Sequence, residues 1–256
     1  MLGNRERMMC CSAAAELAFE GGDVRWGIRA SDGAIEKVII DPNTLDVRLM
    51  TIHERKPIGI CGSGFISAVA KLLRPGCLLH RGNFNENIRS ARLRQCQAGM
   101  EFVLSCKEDN STGHEIIITL KDIAELQIAK AAIRAGIPIL MDSIGEDIQR
   151  IYLAGAGVNY IDSVDAQTID LISSLPDCCI IGCGNVTGHG ACLALVDMKM
   201  KGYAENIAQK LQYLELAGSA RFQNMFVLHM FLPQAIDSQA TRPTNPPPPP
   251  RSNDAL

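Results

Sequence analysis

Ile151-Tyr152-Leu153-Ala154-Gly155-Ala156-Gly157-Val158-Asn159-Tyr160 is a short apolar strand that runs straight into a small-residue turn. Glycines at 155 and 157 accept positive φ and let a ligand come close to the main chain. The stretch before it, Ile123 to Ile144, is patterned as a helix, so helix, strand and turn succeed one another as in an α/β protein. Such a turn either forms a nucleotide-binding edge or packs beneath a helix, and a lone Gly-x-Gly does not choose between the two.

Two more glycine turns flank this one in sequence. Ile58-Gly59-Ile60-Cys61-Gly62-Ser63-Gly64 precedes Phe65 to Leu73, which is apolar at helical spacing and stopped by Pro75-Gly76. The free amides and dipole of that helix start attract anions, so Gly62, Ser63 and Gly64 are expected near a phosphate. No Gly-Lys-Ser/Thr follows, so it is not a P-loop. Further on, Cys178 to Gly182 reads as a buried strand, and Gly184 to Ala191 as a turn leading into a helix from Ala191 to Met200. His189 within that turn is either incidental or a ligand donor.

The helix before the central strand has its own start signal. Thr119 and Asp122 form a Thr-x-x-Asp capping pair ahead of Ile123-Ala124-Glu125-Leu126-Gln127-Ile128-Ala129-Lys130-Ala131-Ala132-Ile133. Gln127 and Lys130 are polar on a helix that otherwise packs inward, either as a solvated edge or as ligand contacts. Upstream, Met1 to Arg7 reads as a hairpin turn with Met8 to Cys11 as the returning strand, and Ser12 to Gly22 as a small-residue loop or helix start. Strands are expected at Val24–Ala30, Ala34–Asp41, Leu45–Ile52, Glu101–Ser105 and Glu115–Thr119, with turns at Asp32-Gly33 and Asp41-Pro42-Asn43. Trp26 is expected to pack on a sheet face. Short helices over Ser163–Ile172, Ala204–Gln212 and Ala220–Met230 and a strand over Tyr213–Leu216 complete the body.

Composition bounds the rest. The chain has 256 residues, 47% of them apolar, enough for one or two ordinary cores. A net charge of −3 supplies no basic field, which argues against nucleic acid or an anionic membrane as partner. No apolar run reaches the roughly 20 residues of a bilayer span, and no signal-peptide pattern opens the chain, so a cytoplasmic setting is expected. The ten cysteines include no C-x-x-C pair, which favours buried reduced thiols over a metal or cluster ligand set. From Gln234 the sequence turns to Gln, Ser, Thr, Asn and proline, including Pro246 to Pro250, and is expected to be a disordered tail, residues 234–256, with a polyproline II stretch.

Taken together, several blocks resemble a known family. They are Cys11-Ser12-Ala13-Ala14-Ala15 with Ala18-Phe19-Glu20-Gly21, Trp26-Gly27-Ile28-Arg29-Ala30, Gly59 to Gly64, Asp122 to Gly136, and Tyr152-Leu153-Ala154-Gly155-Ala156 with Asn159-Tyr160-Ile161-Asp162. In this order, across residues 1–233, they resemble the C-terminal domain of the reductive activators of corrinoid-dependent enzymes. The resemblance implies an α/β fold of the actin, Hsp70 and acetate-kinase superfamily. This chain would contribute a ribonuclease-H-like half, with a mixed sheet flanked by helices.

It also implies ATP, with Mg²⁺, as the ligand, and an ATP-driven reduction of Co(II) corrinoid to Co(I). Family members carry a [2Fe–2S] ferredoxin domain ahead of this region. On that footing Gly155, Ala156, Asn159, Gln127, Lys130, Gly62, Ser63 and Gly64 would meet the nucleotide, and Ser12, Glu20 and Gly21 would lie on the loop that faces the corrinoid partner. Ser12 has helix capping as its competing role.

Departures accompany the matches. Glu16-Leu17 stand where the family usually has Gly-Pro, Gly157-Val158 where it has Phe-Gly, and Ser67 where Asp is common. Both Asp-x-Gly phosphate motifs, which position Mg²⁺ and the attacking water, are absent from the chain, which reads as starting just after the second. Three functions follow as expectations. The first is the ATP-binding portion of an activator, as a fragment or split subunit that pairs with a separate N-terminal half or with a second copy. The second is a non-catalytic docking module for a corrinoid protein or corrinoid methyltransferase. The third is a small-molecule kinase, for which no substrate base can be named.

Overall fold

The computed structural model describes residues 1–4, 6–13, 15, 22–97, 99–145, 147–155, 160–172, 175 and 178–234. The tail expected over 234–256 therefore lies outside the described residues except for Gln234. The expected hairpin forms at the start, where β1 (Leu2–Gly3) pairs antiparallel with β2 (Met8–Cys10).

β3 (Ala34–Ile40) and β4 (Val47–Thr51) make a second hairpin, and β5 (Gly59–Ile60) lies parallel on the other side of β3. Only Gly27 of the expected Val24–Ala30 strand joins this sheet, through a bridge to Ile60. The backbone just before it is in turns, with Asp23 at φ 41°. Trp26 packs half-buried against the core, and its Nε1 has no hydrogen-bond partner among the described residues.

Helix α1 (Gly62–Leu73) follows β5 directly and is buried along nearly its whole length. It lies close on β3 because Gly64 has no side chain: a Cβ there would overlap the Ile35 carbonyl. Phe65, Ile66, Val69 and Leu72 then enter the main core with Ile35, Val38 and Ile60. Each such side chain contributes about 2 kcal/mol by leaving water.

A three-stranded meander closes the other side of that core. β6 (Leu93–Cys96), β7 (Gly99–Ser105) and β8 (Ile116–Thr119) are antiparallel, and β6 is not among the strands expected from the sequence. Arg94 is held between Glu101 and Glu115, which shows why a charged strand is stable there. β8 runs into α2 (Leu120–Ile144) through the expected capping box: Thr119 Oγ1 accepts the Asp122 N–H and Asp122 Oδ2 accepts the Thr119 N–H at 2.8 Å. The first half of α2 buries Ile123 and Leu126 in the main core. Its second half meets the first sheet, where Gly136 leaves just enough room for Cys11 and Leu216. Gly145 ends the helix in the left-handed conformation, its N–H donated to Met141 O.

The remaining elements are β9 (Arg150–Ala154), α3 (Ser163–Thr168), β10 (Cys179–Gly184), α4 (Val186–Val196), α5 (Met198–Lys210), β11 (Leu211–Tyr213) and α6 (Ala220–His229). β9 and β10 are parallel, and β11 adds to β2 in parallel. Two expectations are corrected here. β10 is half-exposed rather than buried. The third glycine turn is already helix, because Asn185 Oδ1 caps the Gly188 N–H at 3.0 Å and the helix begins at Val186. His189 thus sits exposed in the first turns of α4.

Gly64→Ala should destabilise the chain by about 2–3 kcal/mol, since the added carbon meets main chain that cannot yield. Gly182→Ala, whose added carbon meets nothing, should leave the urea midpoint nearly unchanged. Equal midpoints for the two would show that the α1–β3 approach is not tight.

Candidate functional site

The carboxyl ends of parallel strands leave main-chain groups free for a ligand, and β9 and β10 end side by side. Gly155, directly after β9, has φ 134°, and Gly184, at the end of β10, has φ 81°. The Gly155 N–H is donated to Gly184 O at 3.0 Å, which locks the two strand ends together. Gly155 is half-exposed. Ala156 and Asn159, expected to meet the same ligand, lie outside the described residues, as do Gly157 and Val158.

From Tyr160 the chain enters α3 through Asp162. Asp162 Oδ1 accepts the Val164 and Asp165 N–H groups at 2.9 and 3.3 Å, and Oδ2 accepts Lys37 Nζ at 3.1 Å. Burial alone would raise its pKa. The Lys37 ammonium and the two amides outweigh that and hold the carboxyl below the usual range. The start of α3 is thereby fixed to β3.

Gly62, Ser63 and Gly64 form the first turn of α1, and all three are buried. Cys61 precedes them, its N–H donated to Ile35 O at 3.1 Å and its Sγ 3.3 Å from Ser63 Oγ. No side chain caps the first amides, which leaves them chemically suited to an anion, though they are covered within this chain.

Gln127 and Lys130 have partners that the sequence does not suggest. Gln127 Nε2 donates to Met230 O at 2.8 Å and lies 3.3 Å from Arg81 O, while Lys130 Nζ donates to Phe231 O at 2.6 Å. Both side chains thus grip the segment that follows α6. His80 adds to the grip, stacking on the Phe231 ring and exchanging hydrogen bonds with Leu232, which is fully buried. Burial pushes the Lys130 ammonium down to about 8, with Asp170 opposing the shift and Arg134 adding to it.

Ser12 is exposed, and its hydroxyl pairs with the Tyr213 hydroxyl at 2.8 Å. Glu20 and Gly21 lie outside the described residues. No group of three or more His, Cys, Asp or Glu among the described residues could hold a metal ion, so these residues by themselves do not fit Mg²⁺. None of the described helices is long and apolar enough to cross a membrane.

Sequence reasoning passed over Lys37, Lys71 and Asp165. Lys37 and Lys71 belong to a strand and a helix whose patterns do not mark them, and Asp165 lies in the first turn of α3, where an acid needs no further reason.

The family model described as the C-terminal domain of RACo, the ASKHA domain, matches residues 1–242. The chain belongs to this family. Its fold is that of a mixed α/β ASKHA domain, as the sequence blocks lead one to expect. Among RACo-type relatives, the corrinoid activation enzyme RamQ of Eubacterium limosum is 32% identical over 238 residues, covering 89% of this chain and 40% of that protein. The [Co(II) methylated amine-specific corrinoid protein] reductase of Methanosarcina barkeri is 25% identical over 252 residues, covering 88% of this chain and 42% of that protein. A solved structure, the reductive activator for corrinoid,iron-sulfur protein, superposes with a TM-score of 0.83 at 34% identity over 91% of this chain and 38% of that one. The chain therefore spans about two-fifths of the length of these relatives.

Lys130 binds its proton less tightly folded than unfolded, where the ordinary value is 10.5, so the unfolded state holds more protons between those two pH values. Stability should accordingly rise with pH across that window. The unfolding free energy of the wild type relative to Lys130→Met, measured in urea at about pH 7.5 and about pH 10, should shift in favour of the wild type at the higher pH. A difference that does not change with pH would show that the ammonium is not desolvated.

Proposed function

We propose that this chain is the ATP-binding portion of an activator that supports ATP-dependent reduction of a Co(II) corrinoid protein to Co(I). Membership of the RACo C-terminal family over residues 1–242 is the observation that carries this reading. The names of the relatives, a corrinoid activation enzyme and a corrinoid-protein reductase, supply the substrate class.

In this reading the backbone at Gly155 receives the nucleoside, with Ala156 and Asn159 completing that edge. The first-turn amides of α1, at Gly62, Ser63 and Gly64, stand toward the phosphates. Gln127 and Lys130 act as braces behind the site rather than as contacts, since their donors are already committed to carbonyl oxygens. Ser12, Glu20 and Gly21 belong to the loop offered to the corrinoid protein or corrinoid methyltransferase.

The described residues hold no carboxylate set for Mg²⁺, so hydrolysis is assigned to the assembled activator, with its [2Fe–2S] domain and phosphate-gripping half, and binding to this portion. The surrounding protein is soluble and acts in the cytoplasm in this reading.

A second reading, a docking module without nucleotide chemistry, draws on one specific feature. α4 and α5 bury none of their residues, and Leu195, Val196 and Met198 are 87, 79 and 78% exposed. Large apolar side chains left this exposed are suited to protein contact. Capture of corrinoid proteins with and without ATP separates the readings, because the docking module binds equally in both conditions.

Calorimetry with ATP and Mg²⁺ should show affinity that appears, or rises at least about tenfold, when the remaining activator segment of a relative such as RamQ is supplied. Gly155→Val should reduce that affinity by about tenfold or more, as a φ of 134° disfavours any side chain there. No nucleotide binding by the complemented assembly would refute the reading.

A further inference from the structure

One buried acid has no part in the nucleotide chemistry and yet stands between the two glycine turns. Asp165 on α3 is fully buried. Its Oδ2 accepts the Ser67 hydroxyl at 2.9 Å, its Oδ1 receives the Lys71 ammonium, and Arg74 stands 4.0 Å away. Ser67 Oγ also accepts the Val38 N–H at 3.2 Å, which fixes the same hydroxyl to β3. A carboxylate taken out of water in this way is tolerated only in the arrangement that pairs it. It therefore specifies how two elements sit against each other more than it stabilises them.

The elements it joins are the ones that carry the turns. α3 has six residues, too few to hold together unaided, and it is the first helix after Gly155 in the chain. It is held by the Asp162–Lys37 pair at its start, by Asp165 in its middle and by the Arg74–Thr168 contact at 3.5 Å at its end. α1 opens in the Gly62–Gly64 turn, and Ser67 and Lys71 lie one and two turns further along the same rigid helix. The first turn of α1 is itself seated on β3 through Cys61 and Gly64.

We propose that Asp165 is a positioning residue that ties α3, which follows the Gly155 turn in the chain, to the helix that opens at Gly62–Gly64, so that losing the tie loosens both turns. This deepens the nucleotide reading and rests on it for the identity of the ligand alone. The coupling itself is a property of the ligand-free chain. Packed, hydrogen-bonded elements shift as units, so a displacement of α3 reaches the start of α1 without being absorbed between them.

Hydrogen–deuterium exchange on the full chain tests this, comparing wild type with Asp165→Asn and with the double variant Asp165→Asn, Lys71→Met. Without ligand, exchange in Asp165→Asn should rise by about tenfold in residues 59–66 as well as in 150–155, with the meander over 93–119 unchanged. A rise confined to residues 160–172 overturns the proposal.

The double variant removes both charges, so no buried ion is left unpaired and the melting temperature should recover. Exchange at both turns should nonetheless stay raised, because the tie is gone. Recovery of exchange together with melting temperature would show a purely structural pair and overturn the proposal. In a second arm, run on the chain complemented with the remaining activator segment, ATP with Mg²⁺ should protect both segments in the wild type and only 150–155 in the double variant. Absence of protection in the wild type would refute the nucleotide reading, while the ligand-free arm would still decide the coupling.

Discussion

A single carboxylate holds the junction on which the rest of the described structure depends. Asp122 Oδ2 accepts the Thr119 N–H and lies 2.8 Å from the Thr119 hydroxyl, while Oδ1 accepts the Arg25 N–H at 2.8 Å. The first contacts start α2 where β8 stops, and the last ties that start to the turn that delivers Trp26 and Gly27 to β5. Because Asp122 is almost fully buried, these amides are its substitute for water, and each must be in place. The meander, the long helix and the β3–β4–β5 sheet thereby share one fixed point.

From that point α2 carries the organisation outward. Its first half belongs to the main core and its second half to the β1–β2–β11 sheet, so one helix spans two groups of strands that make no common ladder. The glycine turns lie where helices meet strands on this frame, at the end of β9 and the start of α1. A rigid helix opens with one of them, and two ion-paired aspartates, Asp162 capping α3 and Asp165 within it, hold the segment that follows the other in the chain.

Much of this was legible in the residues. Thr119 and Asp122 announced the helix start, and the alternation of β3 and β4 announced a hairpin, because capping and period-two burial are local in sequence. The third glycine turn was misread because Asn185 offers a cap that the glycines around it obscure. β6 was missed because Arg94 has its partners on β7 and ahead of β8, and cross-strand neutralisation of a charged strand leaves no periodic trace.

The candidate site divides the same way. Gly155 could be read from its sequence because a positive φ selects glycine, whereas the partners of Gln127 and Lys130 could not. They are main-chain carbonyls 46 to 103 residues away, and any sequence offers those equally.

The clasp on residues 230–232 has a practical consequence for where the chain may be cut. Gln127, Lys130 and His80 all take their partners from Met230, Phe231 and Leu232. A deletion boundary placed ahead of Met230 would strip the buried Lys130 ammonium of its acceptor and leave the Gln127 amide with Arg81 O alone, converting a domain edge into a defect inside α2. The minimal folding unit is therefore set from within, by the polar face of a helix near the middle of the sequence.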